Sequence, residues 1–293
     1  MIISHLIGGL GNQMFQYAAG LALAESKGLS LYLDVRDFEG YGLHNGYELS
    51  RVFVGPFALA EPQLIRKILG WRDSPFIRRV LARRQMRWAR GRAFVVAPYF
   101  PYWSGLFDVS DNCYLVGYWQ SECYFKRIEP ALRAAFRFQK PLDGKNAALA
   151  ASIAEGGAVS LHIRRGDYAT NRKNQAVLGL VPLSHYEAAV EYLIGKVPNP
   201  RYFVFSDDID WARENLRVPY PCEFIGHNRG VDSYIDMQLM SLCDHHIIAN
   251  SSFSWWGAWL NVKPGKIVVC PRRWFFCNDF DTRDLFPDGW VVL

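Results

Sequence analysis

A chain of 293 residues, half apolar and 21% charged, has ample material for one large domain or two ordinary ones, which excludes a disordered, collagen-like or small disulfide-stapled protein. Six cysteines (113, 123, 222, 243, 270 and 277) form no CxxC pair, so a zinc ribbon is excluded and reduced thiols in the cytosol are expected. The net charge of +5 is local: residues 66–92 hold ten Lys/Arg against the single acid Asp73, and the remainder carries 23 basic and 27 acidic residues.

In chain order, Ile2–Ile7 reads as a strand, followed by the glycine turn Gly8-Gly9-Leu10-Gly11 and an alanine-rich helix from Asn12 to about Lys27. The polar glycine turn breaks the apolar run, so the first 24 residues are not expected to act as a signal peptide. No stretch of about 18 apolar residues predicts a spanning helix, and the expected compartment is cytoplasmic. Leu29–Leu33 predicts a second strand ending at Asp34. Residues 38–112 are irregular, aromatic and basic, after which Cys113–Gly117 predicts a return to the first sheet and Lys126–Phe136 a helix.

The turn-rich run Lys140–Lys145 marks a boundary, placed between domains 1–142 and 143–293, with the C-terminal tail able to return to the first. Beyond it, strands are predicted at Ala158–Ile163, Tyr202–Phe205, Glu223–Ile225, His246–Ala249 and Lys266–Cys270. Helices lie between them at Leu183–Gly195, Ile209–Leu216, Asp232–Cys243 and Phe253–Asn261. Alternation of this kind predicts an α/β fold of two Rossmann-like halves, with a ligand in the cleft at the carboxyl ends of their strands.

Four segments carry chemistry. Val159–Tyr168 ends a strand in His162, Arg164, Arg165 and Asp167; guanidiniums bind phosphate oxygens bidentately, and such crowding is costly to desolvate without a ligand. A purely structural salt bridge is the competing reading. Ile247–Gly257 turns from a strand through Asn250, Ser251 and Ser252 into a helix beginning near Phe253, where caps and free N–H groups suit an anion. Trp255, Trp256 and Trp259 fit a core face. The glycine turn, with Asn12 and Gln13 next to it, is not a GxGxxG spacing, and Asp34 meets the acidic partner only loosely. Phe205–Trp211 offers Asp207 toward the cleft, while Asp208 and Asp210 fit a helix N-terminus better than a metal-binding DxD.

Taken together, GGLGNQMFQYAAGLALA (8–24), HIRRGDY (162–168), FSDDIDW (205–211) and DMQLMSLCDHHIIANSSFSWWGAWLN (236–261) resemble glycosyltransferase family 11, the α-1,2-fucosyltransferases acting on galactosides. The resemblance implies a GT-B-type architecture and a GDP-L-fucose donor. The implied reaction is an inverting transfer to the 2-hydroxyl of a galactose-containing oligosaccharide or lipid-linked glycan, with no obligatory metal. It places His162, Arg164, Arg165, Asp167, Asp207, Asn250, Ser251, Ser252 and the Phe253 backbone at the donor, Arg164 being catalytic through the departing diphosphate. Asn12 is also implied to be catalytic, orienting the reacting sugars with Gln13, and Gly9, Gln13, His44 and Glu48 fall on the acceptor side. For a base, Asp34 at the end of the second strand is one candidate, and Asp37, His44 and Glu48 are others. Transfer of another GDP-linked deoxysugar, or GDP-sugar binding without catalysis, are the competing functions. For residues 66–92 a peripheral contact with anionic membrane is one reading and a merely solvated face an equal one; nucleic-acid binding is a third, but no reader motif accompanies them.

Overall fold

A computed structural model describes the chain apart from residues 41, 43, 278 and 279, and apart from the side chains of 167, 170 and 172–174. The chain forms two compact units, residues 1–139 with 281–287 and residues 140–280 with 288–293. The break thus falls at Gln139/Lys140, slightly ahead of the expected 142/143.

The first unit holds four parallel strands, β1 Ile2–His5, β2 Leu31–Asp34, β3 Phe94–Val96 and β4 Cys113–Val116, in the order β2-β1-β4-β3. The helix Leu10–Lys27 ends at Gly28 in the left-handed conformation (φ 63°), and the Leu29 N–H closes back on the Ala24 carbonyl at 2.9 Å. Leu29 belongs to this helix stop, while the Ser30 carbonyl already accepts from the Ile2 N–H at 2.9 Å, and β2 begins at Leu31 rather than Leu29. The irregular middle contributes the helices Pro62–Leu69 and Pro75–Leu81, each started by a proline in its first turn. Their inner residues Ile65, Leu69 and Leu81 pack with Ile3, Phe94 and Tyr114 against one face of the sheet.

The second unit is a six-stranded parallel sheet: β5 Ala158–Ile163, β6 Arg201–Ser206, β7 Cys222–Ile225, β8 His245–Ile247, β9 Val268–Cys270 and β10 Val291–Val292. Their order is β10-β9-β8-β5-β6-β7, so the chain builds outward from β5 through β6 and β7, then returns to the other side of β5. That is the doubly wound order, and its switch point lies between β5 and β8. Both faces are covered. On one, Val159, Leu161, Ile163, Val204 and Ile247 meet Tyr186, Ala189 and Leu193 of the helix Leu183–Leu193. On the other, Phe203 and Phe205 meet Ile153, Leu239 and Met240. This double burial covers β5 along its whole length, although its sequence alternates Val159, Leu161 and Ile163 with Ser160 and His162. Among the described residues, no helix is long and apolar enough to cross a membrane.

Candidate functional site

The carboxyl end of β5 lies between those of β6 and β8. Ile163 pairs with Ser206 across one side and Leu161 with Ile247 across the other. Arg164 and Asp207 follow directly on their strands and Asn250 stands three residues after Ile247, so all three emerge at one edge of one sheet.

Asp207 organises this edge. Its carboxylate accepts from the Arg164 guanidinium at 2.9 Å and from the Arg165 backbone N–H at 2.8 Å. Gly166 makes the approach possible, because a Cβ there would sit 2.5 Å from Asp207 Oδ2. Arg164 also lies over the Tyr168 ring at 5.3 Å, one helical turn further on. Arg165 takes a different course: its Nε donates to Asp208 at 3.2 Å and its guanidinium lies 3.7 Å above Trp211. Arg165, expected at the donor, is thus held so as to brace β5 against the helix Ile209–Asn215. Asp208 caps that helix, accepting from the Trp211 N–H. The Asp167 side chain lies outside the described residues.

His162 is buried on the opposite face of β5 from Leu161, with its ring 5.9 Å from that of Phe253. Burial, reinforced by the positive charge of Arg164, lowers its pKa to about 3, so the imidazole is neutral near pH 7. Its Nδ1 is buried without a hydrogen-bond partner, the state expected of a group that meets a ligand or an ordered water.

The loop after β8 leads into the helix Ser252–Leu260. Ser251 is its cap, its hydroxyl accepting from the Phe253 N–H at 3.3 Å. The Phe253 N–H is therefore satisfied internally, and the Ser252 and Ser254 N–H groups are the first-turn donors left for an anion. The buried amide of Asn250 donates to the carbonyls of Leu178 at 2.7 Å and Trp274 at 3.1 Å, tying three segments together, while its Oδ1 is buried without a hydrogen-bond partner. Behind the cap, Trp255, Trp256 and Trp259 are core residues exposed by no more than 3%.

In the first unit the carboxyl end of β1 meets that of β4, again where the strand order reverses. Gly8 (φ 85°) brings the chain against Asn12, whose side-chain oxygen accepts from Gln120 beyond β4 at 2.7 Å. Gly9 leaves room for His44, which is exposed; a Cβ at Gly9 would lie 3.4 Å from the His44 ring. Gln13 is fully buried, donating to the carbonyls of Gly8 and Gly46 and accepting from the Glu48 N–H, so it staples the loop instead of meeting a sugar. Glu48 is buried against Arg51 at 2.7 Å, and burial raises its pKa despite that partner.

Asp34 does not have a base's surroundings. It is fully buried, and its oxygens accept from Arg36, from Arg78 and from the Tyr114 hydroxyl at 2.7 Å. Burial by itself would raise its pKa, but the hydrogen bonds from Arg36 and Tyr114 outweigh this and hold it low. Arg78 reaches on to Asp37, and His5 at the end of β1 joins Asp37 at 2.9 Å. This network fixes the loop after β2. Three of its members, His5, Arg78 and Tyr114, sit in otherwise apolar or basic stretches that gave no sign of it. Gln120 and Tyr168 were equally unassigned; Tyr168 lies on the short helix Gly166–Thr170 that follows the two arginines.

Residues 103–293 match the model of "Glycosyl transferase family 11". The alpha-1,2-colitosyltransferase of Escherichia coli is 33% identical over 296 residues, covering 100% of this chain and 99% of that protein. The Escherichia coli O-antigen biosynthesis glycosyltransferase WbnK is also 33% identical, over 310 residues and 99% of each. Galactoside alpha-(1,2)-fucosyltransferase 1 of Saimiri boliviensis boliviensis is 26% identical over 155 residues, half of this chain and 42% of that protein. Among solved structures, the fucosyltransferase NodZ from Bradyrhizobium superposes with a TM-score of 0.50 at 15% identity, over 88% of this chain and 92% of that one. A variant of Arabidopsis thaliana FUT1 in complex with GDP gives 0.50 at 10% identity, over 99% and 75%. The fold is thus of the GT-B type, and sequence similarity extending over the whole chain makes it a glycosyltransferase, a member of glycosyl transferase family 11.

Proposed function

We propose that the protein is an inverting α-1,2-glycosyltransferase that moves L-fucose from GDP-β-L-fucose to the 2-hydroxyl of a terminal galactoside. The observation that carries the donor half is the arrangement at the β5/β8 switch point, where Arg164 and the first turn of the helix Ser252–Leu260 leave adjacent strands. A departing nucleoside diphosphate gains negative charge as the anomeric carbon becomes cationic. A guanidinium already oriented by Asp207 and Tyr168, with the helix-terminal N–H groups, stabilises that charge where it develops. His162, neutral and with an unpartnered ring nitrogen, serves as a donor contact that adds no charge. Asp207 and Asp208 are engaged by Arg164 and Arg165, so the reading needs no divalent cation. On the acceptor side Gly9, Asn12 and His44 are the proposed contacts, and Asp34 is not among them.

The α-1,2 linkage is supported by the names of both the full-length colitosyl relative and the more distant fucosyl relatives. The full-length match also favours a second donor, GDP-colitose, whose sugar is fucose lacking its 3-hydroxyl. The phosphate-binding residues do not discriminate the two.

The test is GDP release from each donor, with and without lactose, in buffer containing EDTA. Acceptor-dependent release from GDP-fucose, with an α-1,2-linked product, is the expected result. Release from GDP-colitose only would move the donor assignment. GDP binding without turnover on either donor, across a panel of galactosides, would leave a binding protein and overturn the reading.

A further inference from the structure

The basic segment divides into two groups once its contacts are followed. Arg78 is buried with Asp34, Asp37 and Tyr114, and Arg90 is buried with its guanidinium donating to the carbonyls of Leu81, Ala82 and Arg83. Arg66 pairs with Asp73, and Arg72 lies on Trp71 and donates to the Ala89 carbonyl. These four hold the segment together. The other six, Lys67, Arg79, Arg83, Arg84, Arg87 and Arg92, are exposed, and no carboxylate pairs with them among the described residues.

The same segment exposes three large aromatics, Trp71 by 63%, Phe76 by 75% and Trp88 by 83%. They are not surplus core residues, because Ile65, Leu69 and Leu81 already supply the face that packs on the sheet. Trp71, Phe76 and Trp88 rim an apolar cavity of about 540 Å³ floored by Ile77, Val80 and Met86. Beside it, sharing Gly91, lies a second cavity of about 580 Å³ lined by Arg84, Arg87 and Arg92 together with Tyr99 and Trp103. An apolar recess next to an arginine-lined one matches a molecule with a hydrocarbon end and an anionic end.

We infer that this face of the first unit is a docking surface for an anionic phospholipid bilayer. Trp71, Phe76 and Trp88 enter the acyl boundary, and Arg84, Arg87 and Arg92 take the phosphate headgroups. Exposed aromatics beside unpaired cations are the composition of an interfacial contact, with attraction from the charges and insertion from the rings. A polyanion such as RNA would use the arginines but gains nothing from an apolar recess. The surface is independent of the donor chemistry above and stands or falls apart from it.

The test is co-sedimentation of the full chain with phosphatidylglycerol-containing vesicles and with phosphatidylcholine vesicles. Binding to the anionic vesicles only is expected. Each basic side chain near such a surface contributes roughly fivefold, so Arg84→Gln/Arg87→Gln weakens binding roughly 25-fold. Trp71→Ser/Phe76→Ser/Trp88→Ser, all at exposed positions, abolishes binding while leaving GDP affinity and the far-UV spectrum unchanged. Brominated lipid quenches tryptophan fluorescence in the wild type and not in that variant. Equal partitioning onto both vesicle types, or undiminished anionic binding by the triple variant, overturns the proposal. Binding to an RNA oligomer that the arginine variant loses and the aromatic variant keeps, without vesicle binding, would assign the surface to nucleic acid instead.

Discussion

Replacing Arg164 by alanine removes a guanidinium and at the same time uncovers a carboxylate. In the native protein Arg164 and Asp207 form a 2.9 Å pair in which each side chain is about a quarter exposed, so the two charges largely cancel. Loss of one preorganised donor to a developing anion costs about 3–4 kcal/mol, or 10²–10³ in turnover. Arg164→Ala adds repulsion between the orphaned Asp207 and the donor diphosphate. Two like charges roughly 4 Å apart repel by about 1 kcal/mol in water and about 4 kcal/mol near a protein surface. The partial exposure argues for the lower part of that range, about 1–2 kcal/mol, a further fivefold to thirtyfold. Arg164→Ala/Asp207→Asn keeps an acceptor for the Arg165 N–H and removes the repulsion. The double variant is therefore expected to be more active than the single one by about that factor, and to bind GDP more tightly. The assay is acceptor-dependent GDP release together with calorimetric GDP titration, completed as a cycle with Asp207→Asn. A double variant no better than Arg164→Ala would refute the placing of the diphosphate beside this pair, and wild-type turnover in Arg164→Ala would refute the site.

Gly166→Ala is expected to displace Asp207, whose Oδ2 would lie 2.5 Å from the new Cβ, so GDP affinity and turnover fall at least about tenfold, with little loss of stability in a denaturant titration. Asp34→Asn leaves Arg36 and Arg78 facing a neutral group in a buried network and is expected to cost about 3–5 kcal/mol of stability by chemical denaturation; the folded fraction keeps its turnover number, whereas a general base would lose orders of magnitude. Stability should also depend on pH in a defined direction. Burial lowers His162 to about 3 and His185 to about 4 and pushes His246 well below its usual value, so each adds stability that is complete above about pH 6.5 and lost as pH falls. Burial raises Asp236 to about 7, which acts oppositely, adding stability as pH falls from 7 toward its unfolded value. Between pH 6 and 5 the buried histidines outnumber Asp236, so stability is expected to fall as pH falls, and a flat profile in urea titrations at pH 7, 6 and 5 would contradict these burials.

The second unit was the more legible half because its strands and helices alternate regularly between turns, and Tyr202–Phe205 is a continuous apolar run covered on both faces. β5 ends in Arg164 and Arg165, and that edge is where the proposed chemistry lies. The first unit hid more. Its third strand is only Phe94–Val96, and the segment that packs over the sheet is two short helices whose exposed arginines and aromatics mask the apolar face formed by Ile65, Leu69 and Leu81. Asp34 illustrates a different obstacle. A carboxylate at the end of a strand has the same local sequence whether it receives a proton from a sugar or neutralises a guanidinium, and its partners Arg78 and Tyr114 are 44 and 80 residues away. The pair Arg164-Arg165 shows where such an ambiguity can be resolved. Two adjacent arginines and two adjacent aspartates were visible, but which arginine meets which aspartate depends on strand register. Once Ile163 is set opposite Ser206, counting forward puts Arg164 beside Asp207 and Arg165 beside Asp208, which are the pairs observed. Asp208 then also caps a helix and Arg165 lies on Trp211, so the outer pair is consumed in bracing, while the inner pair stands beside the Tyr168 ring. The division of labour between two chemically identical neighbours follows from a shift of one residue along parallel strands.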